Sequence, residues 1–185
     1  MRIAKRRRRE AKTNYLKRMK LLKSNSPRVV FRKTNRNIIA QYVTSKEAQD
    51  KVEIGINSRI LLKYGWPKEA EKSLKSIPAS YLTGFILGKR ILNEKKKVPI
   101  IDFGMIRNLH KTKIYAFVKG LIDSGLKIKV DKNKDIFPDE SRIKGESMKN
   151  KIPFLGIKAK IEGAPLGIYP EGHKPKTLNE GVKIT

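Results

Sequence analysis

Arg32, Lys33, Asn35, Arg36, Asn37 and Gln41 fall within ten residues of one another, and Thr34-Asn35-Arg36 in their midst carries turn chemistry. Guanidinium and ammonium groups bond phosphate oxygens, and planar amides read base edges through adjacent donor and acceptor atoms. A strand–turn–strand bearing this set suits a nucleic acid, although a merely solvated hairpin uses similar residues. Tyr15, Tyr42, Tyr64, Trp66 and Tyr81 lie close to basic residues. Unstacked bases gain about 1–3 kcal/mol by stacking on such rings, although most aromatic side chains are core residues. The carboxylates offer a weaker alternative. Asp102 closes an apolar run, and Asp123, Asp139 and Glu140 could join it around Mg²⁺ as in a nuclease. Against this, Asp123 falls on the polar side of a helix and Asp139 on a capping position. His110 is isolated, and no glycine-rich phosphate loop follows a strand. Neither catalytic residues, a metal site, a cofactor nor a small-molecule substrate is expected.

Charge decides the class of partner. The 185 residues include 44 Lys or Arg and 17 Asp or Glu, a net charge of +27. Self-repulsion of that size destabilises a compact state unless a polyanion neutralises it. The basic segments lack the bulky apolar face of a membrane-surface helix, so nucleic acid is favoured over a membrane. No apolar run reaches the about 18 residues of a transmembrane helix, and no secretory signal is visible. Cysteine is absent, which excludes disulfides and thiolate sites and fits a cytoplasmic setting. The charge is densest at the start, where residues 1–25 carry eleven cations against Glu10. Lys5 to Arg9 cannot bury themselves and are expected to order only on a partner.

The elements that position these groups follow from periodicity. Thr13 is expected to cap a basic helix whose Tyr15, Leu16, Met19 and Leu22 form a narrow stripe. Residues 28–33, 37–43 and 51–57 alternate as strands, with Val52, Ile54 and Ile56 on one face, giving an antiparallel meander. Ser58 is expected to cap a short helix ending at Gly65-Trp66-Pro67. Pro78 suits the first turn of a longer helix to about Asn93. Gly84 and Gly88 on that helix imply close approach of a strand or of RNA. Residues 98–103 form an apolar run expected to be a buried strand. Ile114, Phe117, Val118, Leu121 and Ile122 mark an amphipathic helix that Gly125 ends. Asp139 is expected to cap a last helix to about Lys149. Glycine and proline after residue 150 predict short strands, such as 155–161, or an extended tail. Three regions result: a basic arm and helix over 1–25, a globular domain over 26–150, and a tail over 151–185. The fold class is α/β, with the meander and a further strand in a mixed sheet packed by helices.

Five ordered motifs resemble one family. Arg6 to Tyr15 is similar to its RRRREGKTDY arm, and Pro27 to Gln41 to its PRLVVRKSNRHIIAQ hairpin. Lys63 to Trp66, Pro78 to Gly84 and Ile136 to Glu146 resemble its KYGW, PAAYLTG and IFPDEERIRGEH signatures. The family is that of the large-subunit ribosomal proteins called L-eighteen in archaea and L-five in eukaryotes. The resemblance implies a non-catalytic sheet related to the ribonuclease H-like motif. It further implies binding to 5S rRNA, seating of that RNA in the central protuberance, and contact with large-subunit rRNA and neighbouring ribosomal proteins. Carried onto this sequence, it marks Arg7, Arg8, Arg9, Lys12, Thr13, Tyr15, Arg32, Lys33, Asn35, Arg36, Gln41, Tyr64, Trp66, Tyr81 and Thr83 for RNA contact. Arg6, Arg18, Arg28 and Asn37 join them as neighbouring cations and amides. Two departures stand out. Ala11 replaces a family glycine, which predicts helical backbone where the family turns, and Asn37 replaces a histidine.

Overall fold

The computed structural model describes residues 6–107, 109–128, 130, 136–148 and 151–163. Lys5 of the basic cluster and the tail over 164–185 lie outside the described residues. The chain opens with α1 (Arg6–Arg9) and α2 (Tyr15–Lys23), followed by β1 (Arg28–Lys33), β2 (Ile38–Lys46) and β3 (Gln49–Asn57). Two 3-10 helices, Ser58–Tyr64 and Lys68–Ser73, lead to α3 (Ile77–Asn93). Then come β4 (Ile100–Asp102), α4 (Lys113–Asp123), α5 (Glu140–Lys144) and α6 (Phe154–Gly163).

The sheet runs β3-β2-β1-β4, antiparallel throughout except for the parallel β1–β4 pair. The expected α/β architecture with a mixed sheet is therefore present. Alternation along β1 sends Val29 and Phe31 to the core face and Arg28, Val30 and Arg32 to the other. Glu47 and Ala48 join β2 to β3 with both residues at positive φ, as two-residue hairpin loops require. A register shift opposite Tyr42 and Val43 separates Val52 from Ile54 and Ile56. Val52 consequently leaves the expected apolar face and is exposed. The apolar run at 98–103 yields only the three-residue edge strand β4, with Val98 and Ile100 exposed instead of buried.

Packing centres on α3. Ser76 caps it by accepting from the Ala79 amide, and Pro78 occupies its first turn, where no donor is missed. Gly84 of α3 and Gly120 of α4 bring these two helices into backbone contact, and Gly88 makes room for the Ser124 side chain at the end of α4. A Cβ at Gly84 would strike the Phe117 carbonyl, and one at Gly120 the Tyr81 carbonyl. What approaches the α3 glycines is thus a helix, neither a strand nor RNA. Two polar links span the same contact: Ser80 Oγ donates to Lys113 O at 2.6 Å, and Tyr81 Oη to Asp123 Oδ2 at 2.7 Å. Gly125, with φ of 106°, ends α4 as its position predicts.

Other boundaries differ from expectation. Asn57, not Ser58, caps the first 3-10 helix, and the buried Ser58 hydroxyl instead accepts from the Ile38 amide. Helix α5 stops at Gly145, whose φ of 79° breaks it well before Lys149, and the Asp139 side chain makes no capping bond. Residues 154–163 are helical, not a strand or extended tail. Phe154, Ile157 and Ile161 recur at helical spacing and join the core.

Gly120→Ala is expected to lower the urea midpoint, costing about 1–3 kcal/mol, because α3 and α4 must part to admit the methyl group. An unchanged midpoint would show that the two helices slide without loss.

Candidate nucleic-acid interface

The basic arm folds back on the open face of the sheet. Helix α1 is a single turn with every residue exposed, so Arg6–Arg9 do not bury themselves, as expected. Ala11 ends this turn at φ 50°. The turn thus persists where helical backbone was expected, and alanine takes a conformation that glycine adopts without steric cost. The Glu10 carboxylate bridges Lys12 Nζ at 2.8 Å and Arg6 Nε at 2.9 Å. These bonds hold its pKa below the ordinary glutamate value.

Thr13 does not cap α2. Its hydroxyl accepts from Arg7 Nε at 2.9 Å, while Asn14 Oδ1 caps the helix by accepting from the Lys17 amide at 3.0 Å. Leu16 and Met19 of the stripe are 76% and 54% exposed, so apolar burial is not what seats α2. Polar links seat it instead. Asp50 receives Arg18 Nη1 from α2 at 3.1 Å and Arg28 Nη2 from β1 at 2.7 Å, and Ser45 Oγ donates to it at 2.7 Å. Lys17 Nζ reaches Gly104 O at 3.4 Å. Partial burial works against ionisation of Asp50, but the Ser45 and Arg18 hydrogen bonds and the Arg28 charge outweigh it and hold its pKa low.

Between arm and sheet lies a cleft of about 310 Å³, lined among others by Arg7, Lys12, Tyr15, Arg18, Arg28 and Arg32. Asp102 forms its far wall, where one oxygen accepts from the Gly104 amide at 2.8 Å and the other lies 3.3 Å from Arg32 Nη2. This carboxylate therefore shapes a loop and orients a cation. Asp123 is engaged elsewhere by Tyr81, and among the described residues no three His, Asp or Glu side chains gather as a metal site.

The hairpin tip follows β1. Thr34 closes it through its own atoms: its amide and hydroxyl donate to Asn37 O at 2.9 and 2.8 Å, and its hydroxyl accepts from the Asn37 amide at 2.9 Å. Asn35 and Arg36 are left exposed, without a protein partner among the described residues. Beside them a recess brings in Arg59, Lys72 and Lys75, three cations that the sequence reading did not single out. Their separation from the hairpin in the chain left no local signal. Gln41 pairs with Val30 and so shares the open face with Arg28 and Arg32.

Burial removes several candidates from any surface. Trp66 is 2% exposed, and its indole Nε1 donates to Ala70 O at 3.0 Å. Tyr81 is 3% exposed, and its burial together with the Asp123 carboxylate pushes its pKa up. Thr83 is fully buried and donates to Ala79 O at 2.6 Å. Tyr64 is half-buried against the core. Tyr42, which also attracted attention as a ring among cations, is a core residue whose hydroxyl donates to Lys97 O at 3.0 Å. Arg28 is 3% exposed and positions the arm through Asp50. The surface that remains comprises α1, Lys12, α2, Arg32, Gln41 and the hairpin tip with Lys33.

A small α/β core that presents a basic arm and a hairpin tip with Asn35 and Arg36 exposed has the make-up of a structural protein whose surface suits a polyanion. The family model described as "Ribosomal large subunit proteins 60S L5, and 50S L18" matches residues 1–99. The Large ribosomal subunit protein uL18 of Korarchaeum cryptofilum is 38% identical over 96% of this chain and 88% of its own length. That of Methanoculleus marisnigri is 40% identical over 90% of this chain and 93% of its own, and that of Methanosphaera stadtmanae 41% over 76% and 69%. The chain belongs to this family of large-subunit ribosomal proteins and is a structural component of the large ribosomal subunit.

Asp50→Asn is expected to cost about 1–2 kcal/mol at neutral pH. It leaves the buried Arg28 without its carboxylate, and the loss is discounted because a third of the Asp50 side chain remains in water. Because folding lowers the Asp50 pKa, its contribution is complete above the ordinary aspartate value of 3.8 and is lost as pH falls through the lowered one. Urea midpoints across that window should fall more steeply for the wild type than for the variant. Parallel acid limbs would remove Asp50 from this role.

Proposed function

We propose that this protein binds 5S rRNA and anchors it in the central protuberance of the large subunit. The observation that carries the reading is the hairpin tip. Thr34 satisfies the turn internally, so Asn35 and Arg36 are held in place with their hydrogen-bonding groups unspent. A guanidinium and an amide presented in this way suit base edges and phosphates of a folded RNA. Arg6, Arg7, Arg8, Arg9 and Lys12 supply the sequence-independent attraction. Tyr15, Arg18, Arg32, Lys33, Asn37 and Gln41 extend the contact along the cleft and the hairpin. The family resemblance of the arm and hairpin motifs supports 5S rRNA as the RNA concerned.

Docking on RNA also offsets the net charge of +27, whose self-repulsion otherwise opposes the compact state. Affinity should fall linearly on a log–log salt plot, with a slope set by the number of phosphates neutralised.

The test is titration of the protein onto folded 5S rRNA and a scrambled RNA of equal length, at low and near-physiological salt. Preference for 5S rRNA is expected to survive the higher salt. Arg36→Ala should weaken that binding by about 1–3 kcal/mol and leave the urea midpoint unchanged. Equal binding of both RNAs, lost together with salt, would reduce the protein to a general RNA-coating or assembly role.

A further inference from the structure

A second cleft, also of about 310 Å³, opens where the end of β1 meets the start of α4. That volume is at the lower end of small-ligand pockets, about 300–1,000 Å³. Its floor is apolar, with Ile77 and Ile106 partly exposed over the buried Phe31 and Ile114, and its lining also includes Lys33, Arg107, Lys111, Lys113 and Arg142. No carboxylate lines it among the described residues. Asp139 approaches Lys111 alone, at 3.8 Å, and Lys33, Lys113 and Arg142 pair with no carboxylate among the described residues. Half-burial, with the charges of Lys33 and Lys75, pushes the Lys113 pKa down. Thr112, at the start of α4, turns its hydroxyl to Leu109 O at 2.7 Å and gives the helix no side-chain cap. The first-turn amides of this eleven-residue helix therefore add donors at the same rim.

A ligand for this cleft must be an anion that also has an apolar face. We infer that the cleft takes one unstacked nucleotide of the bound RNA, its base against the partly exposed Ile77 and Ile106 and its phosphate on Lys33, Lys113 and Arg142. A phosphate alone leaves the floor uncovered, and a solvated basic patch has no need of one. The inference rests on the RNA-binding reading and extends it beyond the arm and the tip, to Ile106, Lys113 and Arg142 much further along the chain.

Two measurements on the full chain test it. The first follows the isoleucine methyl groups by NMR as a nucleoside 5′-monophosphate, inorganic phosphate or the uncharged nucleoside is added. The monophosphate is expected to shift the Ile77 and Ile106 signals saturably, and the other two to leave them in place. No shift with the nucleotide, or an equal shift with phosphate alone, overturns the proposal. The second is the double variant Lys113→Gln with Arg142→Gln, which removes charge without creating a cavity. Its affinity for folded 5S rRNA should fall about tenfold or more at near-physiological salt, with a salt slope smaller by about one, the single phosphate lost. Unchanged affinity and slope overturn the proposal even where Arg36→Ala weakens binding. Loss of 5S preference alongside the methyl shifts would instead remove the 5S reading and leave the cleft standing.

Discussion

Repulsion among 44 cations, with 17 carboxylates to set against them, is the constraint under which this molecule is built. The scarce carboxylates are placed where one anion can organise several elements. Asp50 joins α2, β1 and the β2–β3 hairpin. Asp102 orients Arg32 and shapes the loop after β4. Asp123 secures α4 to α3 through Tyr81. Cations such as Arg8, Arg9 and Arg36 are turned to the surface, where water screens them until a polyanion arrives.

The core has to withstand this repulsion, and it does so by close approach. Glycines on both α3 and α4 let the two backbones touch, and α3 is enclosed on nearly all sides by the sheet, α4, α5 and α6. Apolar burial of that density does not rely on pairing of the surface charges, so it is the term that opposes their repulsion. The division of labour is clear in Tyr81 and Arg36. The ring is locked away to fasten two helices, and the guanidinium at the hairpin tip is left exposed.

Much of this was legible in the sequence because its signal is local. Strand alternation at 28–33, the i, i+3, i+4 pattern of α4, the Gly125 stop and the turn chemistry of Thr34 to Asn37 each depend on a few neighbouring residues, and each appears where the pattern places it. Misplaced features mark competition from elsewhere. A bulge turned Val52 outward, the edge position of β4 left Ile100 in water, and contact with the core made 154–163 a helix despite its glycines. Thr13 and Ser58 looked like caps, but Arg7 and the Ile38 amide claimed their hydroxyls.

By itself, the sequence determined the partner class, the hairpin and the family, since charge, period-two alternation and ordered motifs are properties of the chain read in order. Which ring or cation faces outward was decided only in three dimensions. Trp66, Tyr81 and Thr83 stand in motifs that resemble RNA-contacting ones, yet the core encloses them. Arg28 looks like any strand cation until Asp50 is brought against it from across the sheet. Lys33, Lys113 and Arg142 share a cleft although about eighty and thirty residues separate them. Burial and juxtaposition depend on contacts between segments remote in the chain, and no local pattern encodes them.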